Sequence, residues 1–385
     1  MSSPMRLLVV TGTRADLGLW LPVLREAERR GADAQLLVTA MHLDPRFETV
    51  REVHSLGMPI AAEVACAPAG DGRADMAAAL GVALIGMGPV IEQQRPTWLL
   101  LLGDRGEMAA AALAALHLGT PVAHLHGGET SRGAVDDTLR DVISRVAHLH
   151  LVSNEEAAER LRAMGEEAWR IRVAGAPGLD ALRDEAGGDL DALRRRHGLG
   201  DGPYLLLALH PETVGAPDPA SDLRETLRAV AVVGLPALAV HPNTDAGGGV
   251  MAALLTRASA GGNVTVVASL PRPDFATLLG GAAAIVGNSS AGIIEAPLLG
   301  VPAVNVGERQ AGRTRGDNVI DVPAETGAIV AAIRSALDPA FRARMSGTSP
   351  YGDGGAAPRI LDALGEAAGD PRLLAKRVGE GPDGR

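Results

Sequence analysis

The feature that most constrains this chain is a unit repeated along it: a short β-branched or leucine run, a polar or glycine-containing turn, then an amphipathic helical stretch. In the first half, strands are expected at Arg6–Val10, Ala34–Leu37, Trp98–Leu102, Val122–His126 and His148–Val152. Helices are expected near Trp20–Arg30, Met76–Gln94, Glu107–Leu118, Thr138–Ala147 and Glu155–Met164. Strands that alternate with helices are joined by crossovers, which imply a parallel sheet covered on both faces. The pattern restarts at Tyr204–Leu209 and continues through Ala237–Val240, Val264–Val267, Ala284–Val286 and Ala303–Asn305. The expectation is an α/β chain of two Rossmann-like parallel-sheet domains facing a cleft. The charged, glycine-bearing stretch from Ala181 to Gly202 marks the boundary, with Leu190–Arg196 helical. Domains are therefore expected over 1–180 and 181–355, with 356–385 forming a C-terminal helix and a polar, disordered tail.

Length and composition agree. The 385 residues exceed one core of about 150 residues. Hydrophobic residues are 46% of the chain but aromatics only 2%, so leucine, valine, isoleucine and alanine must build the cores. A formal charge of −10 disfavours nucleic acid as a partner. The single Cys66 excludes an internal disulfide and a multi-cysteine metal site, in keeping with a reducing, cytoplasmic location. The opening segment lacks the longer apolar region of a signal peptide. Ala77–Val90 is interrupted by glycine and too short for a span of about 18 apolar residues, so no membrane partner is expected.

In open parallel sheets, chemistry collects beyond the carboxyl ends of the strands, and the polar motifs fall there. Thr11-Gly12-Thr13-Arg14-Ala15-Asp16-Leu17-Gly18 follows the first strand; it is either an anion-holding turn or a helix start capped by Thr or Asp, and it is not GxGxxG. Gly103-Asp104-Arg105-Gly106-Glu107 puts Asp104 at a strand end and Glu107 in the first turn of the next helix, where the helix dipole alone would favour an acid. In His124-Leu125-His126-Gly127-Gly128-Glu129, strand alternation would send both histidines to one face, and the glycines would let the backbone approach a ligand. A zinc site is the competing reading of that pair, and neither spacing nor the surrounding acids single it out. Asp136 and Asp137 begin a helix, where acids also serve as caps. In the second half His210 and His241-Pro242-Asn243 follow successive strands. Gly287-Asn288-Ser289-Ser290-Ala291-Gly292 opens a helix in the manner of a diphosphate cradle, and Glu295 is placed to accept from a ribose diol. Arg313 and Arg315, in the flexible-looking Gly307–Asp317 stretch, are phosphate-clamp candidates or solvated loop residues.

Taken together, GTRADLG, GDRGE, AHLHGGE, DDTLRD, HLHLVSNEEAAERL, VAGAPGLD, LHPET, HPN, GNSSAGIIEAPLLGVPAVNVGERQAGR and SPYGDG resemble, in order and spacing, the UDP-N-acetylglucosamine 2-epimerase family, from Leu8 to about Ile360. HGGE and GTRAD look like its hydrolysing branch; the non-hydrolysing branch tends to carry Glu where His126 stands. The resemblance implies a glycosyltransferase-B-like fold whose C-terminal helix, Ala356 to about Ala375, packs back on the first domain. It also implies a homodimer, a UDP-sugar substrate, no cofactor and no catalytic metal. The reaction implied is elimination of UDP to a glycal followed by hydration to an N-acetylmannosamine-type sugar. Asp104, His126, Glu129 and Asp137 would serve as acid/base groups and His210 would assist the leaving diphosphate. Arg14, Arg105, Arg140, His241, Asn243, Ser289, Ser290, Glu295 and Arg313 would bind substrate. The chain departs from the family at Leu17, at Ala40-Met41 where a glycine-containing Thr-Gly-x-His turn is usual, and at Asp141 where His is usual, so a di-N-acetylated sugar substrate is also open. A non-hydrolysing epimerase, a glycosyltransferase of the same fold and an inactive nucleotide-sugar sensor are the competing functions.

Overall fold

Both parallel sheets form. The computed structural model describes residues 4–45, 49–70, 72–130, 135–210, 218, 220–241 and 248–377. In the first sheet β1 (Arg6–Thr11), β2 (Asp33–Thr39), β3 (Ile60–Val64), β4 (Trp98–Leu102), β5 (Val122–Leu125), β6 (Leu149–Val152) and β7 (Ile171–Val173) lie in the order β3-β2-β1-β4-β5-β6-β7, every pair parallel. The second sheet has β8 (Leu205–Ala208), β9 (Ala237–Val240), β10 (Val264–Val267), β11 (Ala284–Gly287), β12 (Ala303–Val306) and β13 (Val319–Val322) in the order β10-β9-β8-β11-β12-β13. β4, β8, β9 and β11, at or beside the middle of their sheets, are apolar throughout because helices cover both faces; all five residues of β4 are buried. The strands that the pattern missed, β3, β7 and β13, all lie at sheet edges, where Glu63, Arg172 and Asp321 interrupt the apolar signal.

The chain divides into two compact units. One takes the described residues up to Asp180 and regains the chain from Gly354; the other is Ala181–Asp353. The return is made by the helix Ala356–Ala367, whose first N–H groups, from Ala356 and Ala357, donate to the Asp180 carboxylate at 2.8 and 2.6 Å. Its Ile360, Leu361 and Leu364 join Trp20, Leu24 and Trp98 in one core, and Trp98 Nε1 donates to Leu364 O at 3.1 Å. The helix stops at Ala367, short of the expected Ala375, because Gly369 and then Pro371 disfavour helix.

Two other helices also differ from expectation. Arg14–Arg29 begins well before Trp20: Asp16 N donates to Thr13 Oγ1 while the Asp16 carboxylate accepts from Thr13 N, a reciprocal cap. Arg73–Gln94 runs unbroken through its glycines and is, among the described residues, the one helix long and apolar enough to cross a membrane. Its Ala83, Met87 and Ile91 are nevertheless buried in the core over the first sheet, and Gly86 lies directly on Val64. Met76, Val82 and Ile85 are exposed, Ile85 at 78%.

Candidate active site

Each sheet reverses its strand order once, and such a switch point opens a crevice at the carboxyl ends of the strands flanking it. In the first unit the reversal lies between β1 and β4, whose following loops carry Gly12–Asp16 and Asp104–Glu107. The next strands outward, β5 and β6, deliver His126 and Ser153.

The loops meet in a polar cluster. Arg140, buried on the helix Val135–Val146, donates through Nη2 to Asp104 Oδ2; its Nη1 lies 3.7 Å from Glu129 Oε2 and donates to His126 O at 3.4 Å. Glu129 Oε1 accepts from His126 Nδ1 and from Ser153 Oγ, both at 2.6 Å. A carboxylate only accepts, so the His126 proton sits on Nδ1, and in the neutral ring Nε2 keeps its lone pair. That nitrogen is buried and has no hydrogen-bond partner among the described residues. Asp137 lies one turn before Arg140 on the same helix, half-buried, with exposed Asp136 beside it.

His124 does not share His126's role. β5 ends at Leu125, and His126 takes a left-handed backbone with φ of 60°, so strand alternation does not reach it. His124 Nε2 donates to Gly103 O at 2.7 Å and its Nδ1 accepts from Ser144 Oγ at 3.1 Å. Burial holds the ring neutral, pushing its pKa down to about 3. With both nitrogens engaged, it cannot complete the zinc pair considered above. The two glycines likewise serve packing: a Cβ at Gly127 would lie 2.8 Å from His124 Nδ1, and one at Gly128, where φ is 74°, would lie 2.4 Å from Ala157 O.

The remaining groups of this unit are paired. Arg14 is exposed and its Nε lies 2.8 Å from Glu52 Oε2. Arg105 Nε donates to Glu107 Oε1 at 2.6 Å, and Arg105 also feels Asp16 and Asp136 electrostatically. Glu107 is thus more than a dipole-favoured acid. Burial raises the Asp16 carboxyl and lowers His42, whose ring nitrogens meet Thr11 Oγ1 and Thr49 Oγ1 at 3.1 Å.

In the second unit the reversal lies between β8 and β11, and the order β9-β8-β11 brings His241, His210 and the Asn288-Ser289-Ser290 loop to neighbouring strand ends. Asn288, which the sequence reading left out as a site residue, pins His210: its Oδ1 accepts from His210 N at 2.7 Å and its Nδ2 donates to His210 O at 2.9 Å. Gly287 at φ 140° permits this, since a Cβ there would lie 2.2 Å from Ala208 O. The helix after Ser290 is only Ala291–Ile294, and its Gly292 and Ile293 N–H groups already donate to Ser289 O and Ser290 O. The N–H groups of this short turn are thus engaged within it, and Ala291 N donates to Ser289 Oγ at 3.4 Å. Glu295 closes that single turn and its Oε1 accepts from Arg272 Nη1 at 3.2 Å, while burial still raises its carboxyl. The Gly307–Asp317 stretch is anchored rather than solvated: Arg309 and Gln310 donate to Asn288 O at 3.1 and 2.8 Å, and Arg315 pairs with Asp321. Arg313 is half-buried in it. Asn243 lies outside the described residues.

A family model described as UDP-N-acetylglucosamine 2-epimerase matches residues 25–365. The chain is 37% identical over 362 residues to a Legionella pneumophila protein named UDP-N,N'-diacetylbacillosamine 2-epimerase (hydrolyzing), covering 93% of this chain and 95% of that one. It is 33% identical to a UDP-N-acetylglucosamine 2-epimerase of Neisseria meningitidis, over 86% of this chain and 87% of the relative. The crystal structure of UDP-GlcNAc 2-epimerase from Neisseria meningitidis bound to UDP-GlcNAc superposes with a TM-score of 0.79 at 19% identity, over 94% of this chain and all of that one.

Proposed function

We propose that this chain, which belongs to the UDP-N-acetylglucosamine 2-epimerase family and has its glycosyltransferase-B-like fold, is a hydrolysing epimerase of an N-acetylated UDP-hexosamine. The observation that carries the reading is the Glu129–His126 pair: a carboxylate fixes the proton on Nδ1 and leaves a buried Nε2 that has no partner among the described residues. The reaction needs such a group, because the proton on sugar carbon 2 is weakly acidic and must leave as the carbon 1–oxygen bond to UDP breaks. His126 Nε2 takes that proton, the electron pair forms the carbon 1–carbon 2 double bond, and UDP departs. Water then adds its oxygen at carbon 1 and a proton returns to carbon 2 from the opposite face, giving the free manno sugar. Asp104 and Asp137 are the groups assigned to the water and to the returning proton, with Arg140 fixing Asp104. UDP is assigned to the second unit: His210 at the leaving diphosphate, Ser289 and Ser290 at its oxygens, Glu295 at the ribose, and Arg313, His241 and Asn243 around them. Arg14 and Arg105 are assigned to phosphate and sugar.

The Legionella relative's name supports a di-N-acetylated hexose as substrate. The exposed apolar side chains of the helix Arg73–Gln94 support a homodimer through that helix, and the single, unpaired Cys66 supports a reducing, cytoplasmic location. The test is UDP release from UDP-N,N'-diacetylbacillosamine and from UDP-N-acetylglucosamine without an acceptor. Free sugar and UDP in equal amounts are expected from at least one. An interconverted UDP-sugar that persists would indicate the non-hydrolysing reaction instead. Asp104→Asn and His210→Ala are each expected to bind UDP yet lose turnover.

A further inference from the structure

Beyond Ala367 the chain does not trail away. Arg170, wholly buried, donates to His148 O at 3.0 Å and reaches across to Leu373 O and Arg372 O at 2.8 and 2.9 Å. Trp169 lies between Arg170 and Arg372, each guanidinium 4.3 Å from its ring centroid, and Leu373 is buried in the core of the first unit. This anchorage delivers Lys376 to a set of fixed oxygens. Its Nζ lies 3.0, 2.8 and 2.8 Å from the carbonyls of Ser144, Arg145 and Ala147, and 2.7 Å from Glu166 Oε2. The three carbonyls are at the C-terminal end of the helix Val135–Val146, where unpaired acceptors and the negative end of the helix dipole favour a cation. Glu166 has a fully buried side chain and is shared with His150 at 3.0 Å and Arg145 at 3.3 Å. A solvated surface lysine has neither this burial, 10% exposure, nor four acceptors.

The same helix reaches the reaction groups by two short routes. Arg140, one turn before Ser144, holds Asp104. Ser144, whose carbonyl accepts from Lys376, donates its hydroxyl to His124, which donates in turn to Gly103 O, the residue before Asp104. We propose that Lys376 is a positioning residue for the epimerase reaction, holding the end of the Val135–Val146 helix so that Arg140 and the Gly103–Asp104 turn keep their places. This rests on the reading that the first unit's cluster is the reaction centre. The charged and titratable groups around Lys376 are Glu166, His150, Arg145, Arg170 and His148, and burial lowers the lysine to about 8. Arginine at this position stays charged at higher pH.

The experiment compares the full-length wild type with Lys376→Met and Lys376→Arg. Hydrogen exchange over residues 135–146, kcat and KM for UDP release, and UDP affinity are measured on each. Lys376→Met is expected to lower kcat at least tenfold with KM within threefold, leave UDP affinity unchanged, and speed amide exchange in the helix at least tenfold. Lys376→Arg is expected to recover kcat to within threefold and to hold it above pH 8, where the wild type declines. A kcat within twofold of wild type in Lys376→Met overturns the proposal. So does a joint fall in kcat, UDP affinity and melting temperature that Lys376→Arg leaves in place. If the wild type releases no UDP from either sugar, the functional reading fails and the positioning role falls with it; the exchange comparison then separates the two failures, because hastened exchange in Lys376→Met upholds the hold of Lys376 on the helix and unchanged exchange overturns that as well.

Discussion

Replacing Glu129 by Gln keeps the shape of the side chain and removes its charge. In the native site one carboxylate oxygen accepts two bonds of 2.6 Å, from His126 and from Ser153. Charge assistance adds roughly 1–1.5 kcal/mol to each such bond over its neutral counterpart, so the exchange weakens the pair by about 2–3 kcal/mol. Gln can also present its amide N–H to His126, which moves the ring proton to Nε2 and takes away the lone pair needed at sugar carbon 2. Both routes act on the transition state, where the imidazole gains a proton. At about 1.4 kcal/mol per decade, the expected fall in kcat is about 100-fold, within the roughly 10²–10⁴ attributable to general acid–base catalysis. Ser153→Ala removes one of the two bonds and is expected to lower kcat about tenfold. The assay is initial-rate UDP release at saturating UDP-sugar, with thermal melts as the fold control. An activity within threefold of wild type in Glu129→Gln, or effects of the two substitutions that simply multiply in the double mutant, would refute a shared carboxylate orienting His126.

Ala40 has a left-handed backbone with φ of 49°, so Ala40→Gly relieves about 1–2 kcal/mol of strain against roughly 0.5–1 kcal/mol of added chain entropy and about 0.8 kcal/mol for the buried methyl. Stability in urea unfolding is therefore expected to stay within about 0.5 kcal/mol of wild type; a loss above about 1.5 kcal/mol contradicts the strain at this residue. His124 is held at about 3 in the fold against 6.5 for a free histidine, so the unfolded chain binds its proton first as pH falls. Stability contributed by the neutral ring is full above pH 6.5 and declines below it, by about 2 kcal/mol at pH 5. Urea midpoints of wild type and His124→Gln should therefore converge as pH falls from 7 to 5, and parallel curves would contradict this. Asn288→Ala removes the side chain that pins the His210 N–H and carbonyl, costing about 2–3 kcal/mol, and is expected, like His210→Ala, to lower kcat at least tenfold while UDP affinity in calorimetry stays within threefold; an unchanged kcat contradicts it.

The two sheets could be read because their central strands are continuous apolar runs that only double-sided burial explains. Of the four edge strands, β3, β7 and β13 carry charge and gave no apolar signal, whereas the uncharged β10 was legible. The polar loops could be placed because each follows such a strand, and Asp104, His126, Glu129 and Arg140 do come together in the fold. What could not be read was which partner each side chain would choose. His124 and His126 look equivalent in a spacing argument, yet β5 ends between them and a left-handed residue redirects the second. Ser153 carried a weak signal as a hydroxyl at the carboxyl end of β6, and Asn288 sat inside a motif read only for its serines and glycines. Lys376 lay beyond any periodic pattern; its role depends on Arg170, more than 200 positions earlier, holding the backbone at Leu373.

In the proposed reaction a base strips the proton from sugar carbon 2 as UDP leaves, and water completes it. Proton NMR of the products formed in heavy water tests it directly, with UDP-N,N'-diacetylbacillosamine and UDP-N-acetylglucosamine as substrates. One free manno-configured sugar bearing a single deuterium at carbon 2, formed in step with UDP, is expected. Released sugar that keeps its original carbon 2 proton, or no UDP released from either substrate, would contradict it.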